Sequence, residues 1–331
     1  MREADIRPAD LLTEYLRLSA EDAARFFPDA TRLVPRPCPG CGGEEAGHAF
    51  VKNGFALVRC RACATLYVKA VPPGEALSAF YRDSPSQTYW NTVFFPAVAE
   101  ARRGAIFRPR VQRLIELAAQ HGVAPQRVVD VGAGLGLFLE EARSLGLGSQ
   151  HWAVEPARDA ATQLRAKGFS TVEGFAADAA GSDLAGTADL VASFEVIEHL
   201  VAPVDFLADL GRLARPGGLV VLSGLCGTGF DIMTLGERSK AVSPPHHLTF
   251  LSRAGAEAMV AKAGLELLSF LTPGKLDVDI VRNTLAQDDR AVTDPFLRHL
   301  LAGPASAAEA FQSFLAENGL SSHMWLLARR P

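Results

Sequence analysis

The segment RVVDVGAGLGLFLEEA (127–142) constrains the fold of this chain more than any other stretch. A β-rich run ends beside an acid, glycines follow at 132, 134 and 136, and a helical pattern begins at once. Glycine accepts the left-handed backbone of a tight turn and lets a ligand approach the main chain closely. Such a strand–turn–helix unit belongs in a layered α/β fold, with ligands beyond the carboxyl ends of parallel strands. The rest of the chain agrees. β-rich runs at 127–131, 151–155, 170–175, 188–194 and 218–224 alternate with helical stretches, several closing on glycine. A later pair of strands is expected at 265–271 and 323–329.

Ahead of that unit the texture differs. Residues 10–27 carry leucines and Tyr15 at helical spacing and read as an amphipathic helix ending before Pro28. Residues 34–72 are rich in proline, glycine and cysteine. Cys38-x-x-Cys41 and Cys60-x-x-Cys63 are separated by 18 residues, each pair at a turn. Four thiolates at that spacing describe a closed tetrahedral zinc site, which is structural because no coordination position stays open. Free or redox thiols are the competing reading, and it requires both pairs to behave alike. The metal would replace the core that so small a module cannot bury.

Zinc ribbons often bind nucleic acid, so the charge count matters. Within 36–70, Arg36, Lys52, Arg59, Arg61 and Lys69 oppose Glu44 and Glu45, 5 − 2 = +3, and a zinc tetrathiolate of charge −2 leaves +1. That is a poor phosphate surface. The whole chain is nearly balanced too, with 33 basic and 37 acidic residues. Cys226 stands alone and reads as a small buried residue.

The glycine turn admits two cofactors. The dinucleotide pattern Gly-x-Gly-x-x-Gly fails at its last position, which is Leu137, while Gly136 comes one residue early. Asp130 lies two residues before the first glycine. A carboxylate there repels a pyrophosphate and attracts a cation such as S-adenosylmethionine, with its ammonium and sulfonium. Glu155, closing the next strand, can accept the ribose hydroxyls of either cofactor. The balance favours S-adenosylmethionine and leaves an NAD-dependent oxidoreductase as an alternative.

With DVGAGLG (130–136), AVEP (153–156), FEVIEHL (194–200) and RPGGLVVLS (215–223) in this order, the chain resembles the class I S-adenosylmethionine-dependent methyltransferases. FEVIEHL and RPGG resemble the subgroup typified by ubiquinone-pathway enzymes. CPGCGG, the second cysteine pair and SPPHHLTFLS (243–252) resemble bacterial methyltransferases with an N-terminal zinc module, often tied to sugar, lipopolysaccharide or natural-product modification. The resemblance implies a Rossmann-like α/β sheet of seven strands, the last antiparallel, with a zinc-ribbon module and helical additions.

Carried over, Asp130, Gly132 and Gly134 line the methionine and ribose side, Gly136 shapes the turn, Glu155 holds the ribose and Pro156 lies beside the adenine. Phe175 and Ala176 fall where a polar adenine contact is common, with Asp178 slightly late. Phe194 and Glu195 face the methyl-transfer cavity, and Ala133, Phe138, Val196 and His199 complete the cofactor set.

Methyl transfer needs an aligned acceptor and, for a hydroxyl or acidic carbon, a base. His247, His246 and His199 are the candidates, His247 first, and His199 is spaced i to i+4 from Glu195 as if to pair with it. Packing or acceptor binding is the alternative role for each. Phe230, Asp231 and Met233 are candidate acceptor contacts in a lid, 225–250. The expected organisation is a helical segment 1–33, a zinc module 34–72, a helical cap 73–126 and a cofactor domain 127–331 with a helical insertion 272–322.

The expected acceptor is small and polar, a nucleotide-linked sugar for example. An RNA or protein methyltransferase reading its substrate through the zinc module is the other alternative. The insertion is either a packing element, an acceptor contact or the seat of a homodimer. The amino terminus lacks the pattern of a signal peptide and no run of ~18 apolar residues occurs, so a cytoplasmic protein without a membrane partner is expected.

Overall fold

The computed structural model describes residues 2–331. Thirteen strands occur among them. Five lie in the amino-terminal part: β1 (Val34–Pro35), β2 (Ala46–Lys52), β3 (Phe55–Cys60), β4 (Leu66–Val68) and β5 (Ala70–Val71). The rest of the chain contributes β6 (Arg127–Val131), β7 (Gln150–Glu155), β8 (Ser170–Glu173), β9 (Ala188–Phe194), β10 (Ala214–Leu225), β11 (Thr249–Phe250), β12 (Glu266–Leu271) and β13 (His323–Arg329).

Seven of these form one sheet in the order β12-β13-β10-β9-β6-β7-β8. The neighbours from β10 to β8 are parallel, while β13 runs antiparallel to both β10 and β12. Because side chains alternate across a strand, each strand feeds both faces. Val129, Val191, Val220 and Leu222 enter one apolar cluster, and Val128, Leu190, Leu219 and Val221 enter the other. That is why these strands read as continuous apolar runs. Strand order reverses between β6 and β9, and the crevice beyond their carboxyl ends is where an open α/β sheet receives ligand.

Two boundaries differ from expectation. The helix starting at Pro203 stops at Leu213, and the RPGG segment is already strand, with a register irregularity between Ala214 and Leu219. Pro216 cannot continue a helix. Strand β8 ends at Glu173 because Asp178 accepts the Phe175 N–H at 2.8 Å and starts a helix at Ala176. The insertion between β12 and β13 folds as helices Asp277–Gln287, Pro295–Ala302 and Ala305–Glu317 around their own apolar cluster. The first long helix, Ala9–Phe26, matches its amphipathic pattern.

The strands β2, β3 and β4 form an antiparallel sheet whose fourth strand is β11, so the segment 225–250, expected as a lid, completes this sheet instead of lying free as a loop. Phe55, Leu57, Leu66 and Phe80 share one core with Leu248 and Phe250. Arg36 staples the two regions. It donates to the carbonyls of Val68 at 3.0 Å, Val201 at 3.0 Å and Leu248 at 2.6 Å. Among the described residues no helix is long and apolar enough to cross a membrane.

Candidate active site at the carboxyl edge of the sheet

After β6 the chain turns through Gly132, Gly134 and Gly136, at φ +80°, +52° and +79°. These left-handed values explain the glycines. A Cβ on Gly132 would meet Val196 Cγ2 at 2.6 Å, and one on Gly136 would meet Leu164 Cδ2 at 2.7 Å. A Cβ on Gly134 would meet nothing within 4 Å, so its outer side is open. Glu155 ties the loop down: Oε2 accepts the Gly134 N–H at 2.8 Å and Oε1 the Ala157 N–H at 3.0 Å. Each oxygen retains a lone pair for a further donor.

Asp130 is buried and its carboxyl makes no hydrogen bond among the described residues. Burial, then the Glu155 charge, push it up to about 8 against the pull of Arg110. A buried, unpaired acid is an invitation to a cation.

Beneath the loop Phe138 meets Phe194 edge-on, with centroids 4.9 Å apart. Ala133 and Val196 are half-buried in the turn, Ala176 is buried, Pro156 is exposed, and Phe175 is 69% exposed. Asp178 is engaged in capping its own helix.

Glu195 follows β9 in the left-handed region, φ +57°, a conformation that costs a side-chain-bearing residue about 1 kcal/mol or more. The turn delivers its carboxylate to Arg110 at 3.1 Å, His323 Nε2 at 2.8 Å and the Ser223 hydroxyl. Against the effect of burial, His323 and Arg110 hold this carboxyl well below the usual range. Its side chain is still 42% accessible, so the cluster is open to solvent. The expected pairing with His199 is not made. Residues 197–199 form a single 3-10 turn after a left-handed residue, so helical i to i+4 adjacency does not exist there.

His199 lies with its Nδ1 3.5 Å from the Tyr81 hydroxyl and its ring 4.8 Å from that of His247. His247 Nδ1 is 2.6 Å from the Ala241 carbonyl. That contact requires the proton on Nδ1 and leaves the Nε2 lone pair free. Burial pushes His247 down to about 4 and His199 down to about 3, so both are neutral near pH 7. His246 is different. It is sealed among Tyr15, Phe80 and Tyr81, with Nε2 2.9 Å from Ser86 Oγ. Glu198, with one orphaned buried oxygen, joins His199 and His247 in a group whose donor atoms lie within 4.8 Å of one another.

The four cysteines also converge. Cys38 and Cys63 sulfurs are 3.6 Å apart, and Cys41 and Cys60 3.5 Å. Tetrahedral zinc at about 2.3 Å from each sulfur needs edges of about 3.8 Å, so the set fits such an ion. The knuckles rest on helix Arg253–Lys262, where Gly40 meets Gly255 closely, Lys262 donates to the Cys41 carbonyl at 2.7 Å and Ser252 donates to that of Cys63. Cys226 is buried apart from them.

The methyltransferase domain family matches residues 100–269, more than half of the chain. The chain belongs to this family. Among curated relatives it is 30% identical over 171 residues to a ubiquinone biosynthesis O-methyltransferase of Xanthomonas oryzae pv. oryzae, covering 47% of this chain and 69% of that protein. To the protein of the same name from Burkholderia multivorans it is 33% identical over 118 residues, covering 34% of this chain and half of the relative's length. Solved structures similar to it include a SAM dependent methyltransferase from Archaeoglobus fulgidus (TM-score 0.46, 17% identity, 72% of this chain and 99% of that one). An S-adenosylmethionine-dependent methyltransferase from Clostridium acetobutylicum gives TM-score 0.45 and 9% identity, over 71% and 98%.

In this methyltransferase-domain chain several site residues had no place in the sequence reading. Arg110 had a usable signal: it shares the buried face of helix Arg108–Gln120 with Leu114, Leu117 and Ala118, where a charge is out of pattern. His323, Ser223 and Tyr81 carry no local signal, because the first two reach Glu195, and Tyr81 reaches His199, from distant segments. Asp231 is buried with both carboxyl oxygens unpartnered, Phe230 packs on Phe311, and Met233 is 60% exposed.

Proposed function

We propose that the chain transfers a methyl group from S-adenosylmethionine to a small polar acceptor, with a zinc ion held by Cys38, Cys41, Cys60 and Cys63 as a structural element. The observation that carries this reading is Asp130, a buried carboxyl without a partner beside a glycine turn whose open side is Gly134. It suits a cationic ligand and opposes a pyrophosphate, which counts against an NAD-dependent oxidoreductase. Bound there, S-adenosylmethionine supplies an electrophilic methyl group. Glu155 has the spare acceptor capacity to hold ribose hydroxyls while fixing the loop.

The O-methyltransferase relatives support a hydroxyl acceptor. For such an acceptor His247 is the base we assign: the Ala241 carbonyl takes its Nδ1 proton and leaves the Nε2 lone pair able to accept one, with its basicity lowered by burial. Tyr81 and the Ala241 carbonyl hold the two rings in place. A nucleotide-linked sugar is one acceptor of the required polarity. His247→Ala is expected to cut turnover well over tenfold while leaving cofactor affinity intact, and unchanged turnover would remove His247 from this role.

Calorimetry of the zinc-loaded protein tests the cofactor. Micromolar binding of S-adenosylmethionine and its demethylated product is expected, and absence of both ends the proposal. The pH dependence is specific. A cationic ligand favours ionised Asp130, so binding displaces a proton wherever free Asp130 is protonated, below about 8. Affinity therefore rises from pH 6 to pH 8, and Asp130→Asn flattens the profile.

A further inference from the structure

Two side chains of the amino-terminal module take hold of the loop that carries His247. Lys52 and Asn53 sit at the tip of the β2–β3 hairpin, where Lys52 pairs with Phe55 across the two-residue turn Asn53-Gly54. Both turn residues are left-handed, at φ +49° and +81°, the conformation that suits a right-twisted hairpin and favours Asn-Gly. The turn accounts for the Asn53 backbone and leaves its side-chain amide free. That amide donates through Nδ2 to the Pro244 carbonyl at 2.8 Å, and Lys52 Nζ donates to the Ser239 carbonyl at 2.6 Å. Lys52 is half-buried. Burial draws it down to about 8, which leaves it cationic at pH 7 and its hydrogen bond charge-assisted.

The loop depends on such holds. Between the 3-10 turn that ends at Arg238 and strand β11 it contains neither helix nor strand, so its carbonyls need partners from outside. Within it, the Val242 N–H donates to the Ser239 carbonyl at 3.1 Å and the His247 N–H to the Ser243 carbonyl at 3.0 Å. Ala241 stands between the two tethered carbonyls of Ser239 and Pro244, and its own carbonyl lies 2.6 Å from His247 Nδ1. The hairpin tip therefore brackets the contact that decides which ring nitrogen of His247 carries the proton. At the base of the same hairpin Ala46 pairs with Cys60, whose sulfur is 3.5 Å from that of Cys41. Arg36 and the β4–β11 pairing hold the chain after His247, while Lys52 and Asn53 hold it before.

We infer that Lys52 and Asn53 are positioning residues for His247. By fixing the Ser239 and Pro244 carbonyls they keep the Ala241 carbonyl on Nδ1, so that Nε2 is the nitrogen left without a proton. The amino-terminal module then acts on the chemistry by setting the tautomer of the base. This rests on the assignment of His247 as the base for methyl transfer. A base acts only when its lone pair is on the correct nitrogen and aimed at the acceptor, and small displacements caused from a distance are costly in rate.

The test uses the full-length, zinc-loaded protein with isotopically labelled histidine, saturated with S-adenosylhomocysteine. Long-range proton–nitrogen correlation spectra report the tautomer of each imidazole, and His247→Ala identifies the His247 signals. Wild-type His247 is expected to be protonated at Nδ1. Asn53→Gly deletes the amide donor and keeps a residue suited to the left-handed turn, so zinc content and Tm should stay near the wild-type values. This variant and Lys52→Met are each expected to shift the His247 tautomer ratio about tenfold toward the Nε2-protonated form. Lys52→Arg should restore the wild-type ratio, with affinity for S-adenosylhomocysteine unchanged in all three. A purely structural contribution to folding would lower Tm and leave the tautomer as it is. The wild-type ratio in folded Asn53→Gly overturns the proposal, and that variant alone decides should Lys52→Met fail to fold. A wild-type His247 protonated at Nε2 overturns the bracket together with the choice of base. Failure of the wild type to bind S-adenosylhomocysteine sinks the cofactor reading instead, and the tautomer comparison still judges Lys52 and Asn53.

Discussion

Replacing Cys60 with serine is expected to abolish metal binding and lower Tm by about 10 °C or more. Zinc in a closed thiolate site contributes on the order of 10 kcal/mol to folding of the segment that binds it. Each kcal/mol moves the Tm of a domain of this size by about 2–4 °C. The loss would not stay within the module. Strand β11 pairs Thr249 with Tyr67 and Phe250 with Leu66, and His247 lies two residues before it. Arg36 donates to the Leu248 carbonyl from the other side. Releasing β4 therefore releases the support of His247, and turnover should collapse while the Gly132–Gly136 loop, more remote, continues to bind cofactor. Elemental analysis should find about one zinc per chain in the wild type. Metal-free wild-type protein melting at the temperature of the metal-loaded form would overturn the assignment.

Gly134→Leu should eliminate cofactor binding, by about a hundredfold or more, with only a small loss of stability. The reason is the contrast among three glycines. At 132 and 136 a Cβ collides with Val196 and Leu164, so substitution there damages packing. At 134 a Cβ enters open space, and the cost to folding is the left-handed backbone, about 1–2 kcal/mol. The added side chain fills the approach to the N–H that Glu155 holds. Gly136→Leu is the control, expected to reduce Tm more than Gly134→Leu does. Wild-type affinity for S-adenosylhomocysteine in folded Gly134→Leu would show that the ligand lies elsewhere.

Much of this architecture was legible from residue order. The strands from Arg127 onward were readable because a sheet covered on both faces demands apolar runs, which β10 (219–222) and β13 (324–328) supply unbroken and β6 and β9 with polar interruptions. The glycine turn and Asp130 were readable because their chemistry is local: backbone freedom and a charge two residues away. The paired cysteines were readable for the same reason.

The cluster around Glu195 was not. Glu195 was expected beside His199 on a helix, and a left-handed residue followed by a 3-10 turn sends it to Arg110 and His323 instead. Three histidines were candidates in sequence, His247 first. Burial and partners separate them, leaving His247 with a free nitrogen and His246 locked against Ser86.

By itself the sequence determined the α/β layering, the glycine turn and the two cysteine pairs, all properties of short segments whose backbone and charge act within a few residues. Only the tertiary structure decided which charges meet. Arg110, Glu195 and His323 lie far apart along the chain, and electrostatic energy depends on distance and burial in space, neither of which residue order records.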